Sequence, residues 1–245
     1  MNRPRSYLLD NPQEGVQIPQ QAGTLGLPRR ATMTSRIEEV RGRRAIIRFE
    51  ARKCIHSRNC VLGRPDVFVP NVAGEWIHPD RATPGEIVAL AHNCPSGAIT
   101  YELLDDGTNE SPPLVNTVQV RENGPLALHA PLQVNGEPAG FRAALCRCGA
   151  SSNKPYCDGS HAKAGFAATG EPATRESQPL AVRNGAVNVA PATDGPLKVT
   201  GPVEIVSGTG RTITRVTKTY LCRCGASANK PFCDGSHKKV GFRSG

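Results

Sequence analysis

Aromatic residues and long apolar runs are scarce in this 245-residue sequence. Aromatic residues make up 4% and hydrophobic residues 38% of the chain, and no stretch approaches the roughly 20 apolar residues of a membrane-spanning helix. The first residues also lack the apolar core of a secretory signal peptide. We therefore expect a soluble, cytoplasmic protein that does not associate with membranes.

Motifs for catalysis and for nucleic-acid reading are missing as well. The chain has no G-x-G-x-x-G, no Walker loop and no nucleophile elbow, so we expect no substrate-converting active site and no enzyme. Its net charge is +9, but the basic residues are not interleaved with aromatic residues and form no known reading motif. Nucleic acid is therefore not an expected partner.

The charge is distributed unevenly along the chain. Residues 54–116 carry three Lys or Arg against eight Asp or Glu, whereas the segments on both sides are basic. Two interpretations remain open. Either the acidic segment docks on a basic surface of the chain or of a partner, or its charges are simply solvated.

Turn-forming residues are abundant, and they divide the chain into short elements. The 25 Gly and 21 Pro residues predict short strands and many turns rather than long helices. The patterns at Ala45–Phe49 and Trp76–Ile77 predict strands, and Thr83 with Glu86 forms a capping box that predicts a helix start. This helix brings Cys94 to its C-terminal end.

An internal duplication fills the second half of the chain. Residues 145–166 match residues 221–242 at 18 of 22 positions, and short alternating strands precede each copy. We predict an α+β fold in which an α+β domain precedes a β-rich duplicated module. The expected segments are a mobile N-terminal arm at 1–36, a domain at 37–104, a linker at 105–116, and two copies at 117–170 and 171–245.

The nine cysteines point to metal binding. Their number is odd, eight of them lie in compact groups, and no secretory signal accompanies them, so metal ligation is favoured over disulfides. Each copy reads C-x-C-x8-C-x3-H. These residues are Cys146, Cys148, Cys157 and His161 in the first copy, and Cys222, Cys224, Cys233 and His237 in the second.

Two metals compete for this ligand set. Three cysteines and one histidine form a normal structural zinc site. Zinc fingers, however, usually separate their paired cysteines by two to four residues, whereas C-x-C suits two thiolates on one iron of a [2Fe-2S] cluster. The spacing favours iron–sulfur and leaves zinc open.

The full string C-x-C-x2-S-x3-P-x-C-D-G-S-H is the signature of the CDGSH iron–sulfur domain (NEET) proteins, and both copies match it. The resemblance implies one [2Fe-2S] cluster per motif, bound by the three cysteines and the histidine of each copy. It also implies a small β-rich fold completed by pairing two motif-bearing units. We expect the two copies to pair within one chain about a pseudo-twofold axis, giving a monomer. Arg147 and Arg223 are expected to be solvated surface charges, with cluster tuning as the alternative.

A second cysteine group resembles a ferredoxin with one ligand missing. Cys54 and Cys60 take the first and third positions of a C-x2-C-x2-C run, with Ser57 in the middle, and Cys94 precedes a proline as the distant ligand does. Residues 37–104 are similar to the divergent single-cluster ferredoxin domain. Three thiolates suit a [3Fe-4S] cluster, and a [4Fe-4S] cluster would need His56, Ser57 or solvent. The alternative is three cysteines buried as small hydrophobic residues.

These sites predict a multi-cluster iron–sulfur protein that transfers electrons to or from redox partner proteins. Three rival functions remain open. The protein could deliver [2Fe-2S] clusters to apo-protein acceptors, act as a subunit of a larger oxidoreductase, or serve as a zinc-stapled interaction module.

Overall fold

The computed structural model describes residues 37–105 and 107–244, all within one compact unit. The predicted arm at 1–36 lies outside the described residues. The fold is mixed α+β, as predicted: a three-stranded sheet with helices comes first, and a β-rich module follows. Within the described ranges, no helix has the length and apolar character needed to cross a bilayer.

The first part is an antiparallel sheet in the order β1-β2-β3. The strands are β1 (Ile37–Arg41), β2 (Ala45–Glu50) and β3 (Ile99–Leu103), and the helices are α1 (Asn59–Gly63) and α2 (Pro84–His92). Short 3-10 turns span Ala51–Lys53 and Pro79–Arg81. The strand predicted at Ala45–Phe49 is confirmed. The one predicted at Trp76–Ile77 is wrong, because this segment makes only an isolated bridge between Ile77 and Phe68.

Helix α2 begins where the sequence predicts. The Thr83 hydroxyl accepts a hydrogen bond from the Glu86 amide, and the Glu86 carboxylate accepts one from the Thr83 amide at 2.8 Å. This capping box satisfies amide groups that the first helical turn leaves without partners. The helix packs its apolar face into the first core and ends at His92, which places Cys94 in the following buried turn.

The second part is a sheet that closes on itself. Its elements are β4 (Thr117–Val120), β5 (Leu126–Val134), β6 (Glu137–Leu145), α3 (Ser160–Lys163), β7 (Val187–Pro191), β8 (Leu197–Val206), β9 (Thr212–Leu221) and α4 (Ser236–Lys239). Strands β4 and β5 pair antiparallel within the first copy, as β7 and β8 do within the second. Parallel pairs β5–β7 and β4–β8 join the copies and close the ring.

Both copies contribute side chains to one core. Val118 and Leu128 from the first copy and Val199 and Ile205 from the second are at most 1% exposed and belong to the same cluster. A unit of about 60 residues buries so little apolar surface that it is only marginally stable when it folds alone. The shared core therefore makes the folding of each copy depend on the other.

Candidate metal centres

In each copy, the predicted ligands come together as two pairs of side chains. The Sγ atoms of Cys146 and Cys148 lie 3.8 Å apart, and Cys157 Sγ lies 3.4 Å from His161 Nδ1. The corresponding distances in the second copy are 3.6 Å between the Sγ atoms of Cys222 and Cys224, and 3.5 Å from Cys233 Sγ to His237 Nδ1.

This pairing decides how well each metal fits the ligand set. A single tetrahedral zinc ion requires all four side chains around one point. Among residues 37–105 and 107–244, no group of three or more Cys, His, Asp or Glu side chains is placed to hold a single ion. Two sulfurs on one side and a sulfur with an imidazole nitrogen on the other suit the two irons of a [2Fe-2S] cluster. The donor set therefore fits iron–sulfur better than zinc.

An aspartate fixes the loop that carries each Cys–His pair. The Asp158 carboxylate accepts hydrogen bonds from the Ser152 amide at 2.8 Å and from the Ser160 amide at 3.0 Å. Asp234 accepts the equivalent bonds from the amides of Ala228 and Ser236. Burial raises the pKa of Asp158, but the hydrogen bonds from Ser160 and Ser152 outweigh it and hold this pKa well below its usual range.

The two thiols of the C-x-C pair in the first copy share a hydrogen bond. This bond, together with backbone amides, lowers the pKa of Cys146 despite its burial. Burial raises the pKa of Cys157 to about 11. Because metals bind thiolates, ligation must displace the proton of Cys157.

Arg147 and Arg223 are buried, so the expectation that they are solvated is wrong. They are 1% and 3% exposed. The Arg147 guanidinium donates to the Gly124 carbonyl at 2.8 Å and to the Arg121 carbonyl at 2.6 Å, and Arg223 makes the equivalent bonds in the second copy. These carbonyls replace the water that a guanidinium needs. Burial lowers the pKa of Arg147 to about 10 and also lowers the pKa of Arg223.

Three cysteines of the first part line a single cavity. Its volume is about 540 Å³, and the lining includes Cys54, Cys60 and Cys94 together with His56 and Ser57. The intervening loop curves around the cavity because His56 and Arg58 adopt left-handed backbone angles, with φ of 53° and 63°.

The chemistry of this cavity fits an iron–sulfur cluster with three thiolate ligands. Burial raises the pKa of Cys54 and Cys60, and the charge of Cys94 raises both further, so the three sulfurs interact electrostatically. His56 Nδ1 lies 3.9 Å from Cys54 Sγ, and Ser57 lines the same cavity. Both side chains considered for a fourth ligand are therefore at the site.

The sequence did not reveal Arg142, which holds the Cys94 turn in place. This arginine of β6 is 3% exposed and donates to the Cys94 carbonyl at 2.8 Å, to the Ile99 carbonyl at 2.8 Å and to the Ala91 carbonyl. Two further bonds of 2.7 Å join it to the Glu110 carboxylate. The sequence gives one indication that Arg142 has a special role: the equivalent residue of the second copy is Lys218.

The three ligand loops contact one another in series. In the first copy, Asn153 Nδ2 donates to the carbonyl of Arg52, two residues before Cys54, at 3.4 Å. Between the copies, Cys148 and Cys224 form a backbone bridge. The loop of the first copy therefore lies between the other two.

The segments that carry these sites match two known families. The family described as "Iron-binding zinc finger CDGSH type" matches residues 118–162 and 194–238, and the family described as "Divergent 4Fe-4S mono-cluster" matches residues 40–103. CDGSH domains bind [2Fe-2S] clusters, and the mono-cluster domain binds an iron–sulfur cluster.

Two curated relatives are also similar to part of the chain. The "Uncharacterized protein YjdI" of Escherichia coli K12 and that of Escherichia coli O157:H7 are each 36% identical to it over 61 residues. The match covers 24% of this chain and 78% of either relative. The chain therefore contains two CDGSH domains preceded by a divergent 4Fe-4S mono-cluster domain, and it is an iron–sulfur protein.

Proposed function

We propose that this protein is an electron carrier with three centres, and not an enzyme. Its centres are the two Cys/His sets of the CDGSH domains, each holding a [2Fe-2S] cluster, and the Cys54, Cys60 and Cys94 site, holding a [3Fe-4S] or [4Fe-4S] cluster. When bound, such clusters accept and release single electrons. The observation that carries the proposal is the serial contact of the three ligand loops.

The contacts leave little space between neighbouring loops. A Cβ atom added to Gly149 would lie 2.7 Å from the Cys224 carbonyl oxygen, and one added to Gly225 would lie 2.5 Å from that of Cys148. A Cβ atom added to Gly159 would lie 3.8 Å from the Ile55 carbonyl oxygen. Because electron transfer slows steeply with distance, ligand loops in direct contact support exchange between centres.

The second copy, at one end of this row, is more open to a partner than the first copy in the middle. The first-copy loop lies against residues 52–55, whereas α4 of the second copy ends in exposed Lys238 and Lys239, followed by Val240 at 57% exposure. Cationic side chains around a redox site attract a partner of opposite charge and accelerate encounter. The second copy therefore suits an acidic redox partner.

The test uses one acidic [2Fe-2S] ferredoxin in two forms. Chemically reduced holo-ferredoxin is mixed anaerobically with the oxidised protein, and ferredoxin oxidation is followed by stopped-flow absorbance. Since His ligation raises the potential of a [2Fe-2S] cluster above that of an all-cysteine ferredoxin, we expect rapid oxidation of the ferredoxin that slows with salt, while iron and sulfide stay with this chain. Lys239→Glu should slow the reaction more than the matched variant Lys163→Glu of the first copy. Absence of electron transfer from the ferredoxin to this chain would contradict the carrier function.

Cluster delivery is the second candidate, and the openness of the second copy favours it. Cys233 is half-buried where its counterpart Cys157 is 3% exposed, so the second cluster site is easier to reach. The same mixing experiment with apo-ferredoxin separates the two functions. Transfer of iron and sulfide to the apo-ferredoxin at a rate matching electron transfer would support delivery.

A further inference from the structure

We propose that a cavity between the mono-cluster domain and the first CDGSH domain binds a small oxyanion of phosphate size. The cavity has a volume of about 370 Å³. The outer face of β4 and β5 forms one wall, and the turn from His92 to Pro95 forms the other. The proposal concerns a site outside the three ligand sets, and it does not depend on the electron-transfer function.

An unpaired guanidinium is the first observation that points to an anion. Arg121 lines the cavity and is partly buried, and its guanidinium makes no hydrogen bond or ion pair to any residue that the structure describes. Burial lowers its pKa with no neighbouring carboxylate to offset it. A partly desolvated guanidinium gains most from a planar or tetrahedral oxyanion, which accepts two of its N–H groups at once.

The rest of the lining has the same electrostatic character. None of the described lining residues is Asp or Glu, and His92 and His129 lie with their ring centroids 6.4 Å apart. Burial lowers the pKa of His129, and the charge of Arg142 lowers it further, against a smaller opposing effect of Glu110.

Carboxylates around the cavity already have partners. Glu110 is bound by Arg142, Glu122 accepts a hydrogen bond from the Gly170 amide, and Glu204, on the strand beside Thr117, is bound by Arg183 and Arg215. Because a partly desolvated charge without a partner is costly, an anion from solution would compensate the charge of Arg121.

Comparison of the two copies shows that these residues are specific to the first. The backbone bond from Arg121 to the Pro125 carbonyl corresponds to the bond from Ala192 to the Pro196 carbonyl, so Arg121 and Ala192 are equivalent. In the same way, Gln119 is replaced by Ala190 and His129 by Thr200. Donor groups therefore occur on the copy whose outer face the mono-cluster domain covers.

Isothermal titration calorimetry of the cluster-loaded full chain tests the site, with inorganic phosphate and succinate titrated separately at constant ionic strength. We expect saturable binding of one anion per chain. Comparison of the dissociation constants of phosphate and succinate then shows which class of oxyanion the site prefers. Arg121→Ala installs the residue of the second copy and should weaken binding about ten- to hundredfold, the effect of losing a charged hydrogen bond. Arg121→Lys, which keeps the charge without the planar fork, should weaken it less.

The matched control is Arg43→Ala, because Arg43 is an exposed arginine outside the cavity. This variant should bind the anion as the wild type does. Absorbance of the clusters confirms that each variant is folded and loaded. No saturable binding of either anion by the wild type, or an unchanged affinity in Arg121→Ala, would overturn the proposal.

Discussion

A single buried arginine connects the two halves of this molecule at the level of atoms. Arg142 belongs to the first CDGSH domain, yet three of its acceptors are carbonyls of the mono-cluster domain, including that of Cys94. Glu110 neutralises the guanidinium from the segment that joins the domains. This pair also shows where the acidic middle of the chain meets the basic module.

We predict that Arg142→Ala removes the mono-cluster site selectively. The substitution leaves the buried Glu110 charge and three carbonyls without their donor, which costs about 3–5 kcal/mol. Iron content should fall by the amount held at Cys54, Cys60 and Cys94, with the [2Fe-2S] absorbance retained. Lys218→Ala changes the equivalent, exposed residue of the second copy and should leave all iron in place; equal loss from both variants would refute the positioning role.

A second residue-scale prediction concerns Ser57. Since it lines the cavity with the three cysteines, Ser57→Cys should supply a fourth thiolate and convert the site to a stable [4Fe-4S] form. The expected result is a changed EPR signature and four irons at this site, with unchanged [2Fe-2S] signals. Ser57→Ala serves as the control for removal of the hydroxyl. An unchanged iron count and spectrum in Ser57→Cys would mean that residue 57 does not face the metal.

At the scale of elements, most ligands stand where a strand or helix ends. Cys146 and Cys222 directly follow β6 and β9, Cys94 follows α2, and the two histidines lie in the short helices α3 and α4. Regular elements fix these positions, and glycines allow the turns between them. Gly149 and Gly225 adopt φ of +84° and +81° at the contact between the two C-x-C segments.

We predict that Gly149→Ala disturbs both CDGSH sites at once. The new methyl group would meet the Cys224 carbonyl oxygen at 2.7 Å, in addition to the roughly 1–2 kcal/mol cost of a left-handed backbone. Gly136→Ala is the matched control, because Gly136 has the same φ of +84° and no atom within 4 Å of the added Cβ. Faster iron release from both copies in Gly149→Ala than in Gly136→Ala, followed by [2Fe-2S] absorbance, is the expected result. Equal rates would show that backbone strain alone is responsible.

At the scale of the whole molecule, the duplicated module behaves as one folding unit. Two parallel strand pairs join the copies into one ring, and the core contains side chains from both. A loss of packing in one copy must therefore reach the other.

We predict that Leu128→Ala, a change in the first copy, destabilises both copies in a single unfolding transition. Leu128 is 1% exposed within the shared core, and such a truncation costs about 2–5 kcal/mol. Circular dichroism and loss of [2Fe-2S] absorbance during urea unfolding should shift together. Leu114→Ala, at a residue that is 87% exposed, should shift neither. Two separate transitions, with one copy retaining its cluster, would contradict the shared core.

Local patterns in the sequence were enough to identify the metal-binding chemistry of this protein. These patterns are the ligand spacing, the repeated C-x-C-x8-C-x3-H string and the capping box at Thr83. Each involves residues close together in the sequence, so it can be recognised without information on long-range contacts. They were sufficient for the mixed α+β fold, the two CDGSH domains and the mono-cluster domain. The same reasoning wrongly predicted a strand at Trp76–Ile77. This segment forms only one bridge, between Ile77 and Phe68, and does not pair further with another strand.

The arrangement of the three sites relative to one another depends on contacts between distant segments of the chain. Arg147 and Arg223 looked like surface charges because the carbonyls that bind them come from segments more than 20 residues away. The contact of the Cys148 and Cys224 segments and the reach of Arg142 to the Cys94 turn are equally non-local. Such contacts depend on the closure of the sheet and on the docking of the two domains, which no short segment of the sequence encodes.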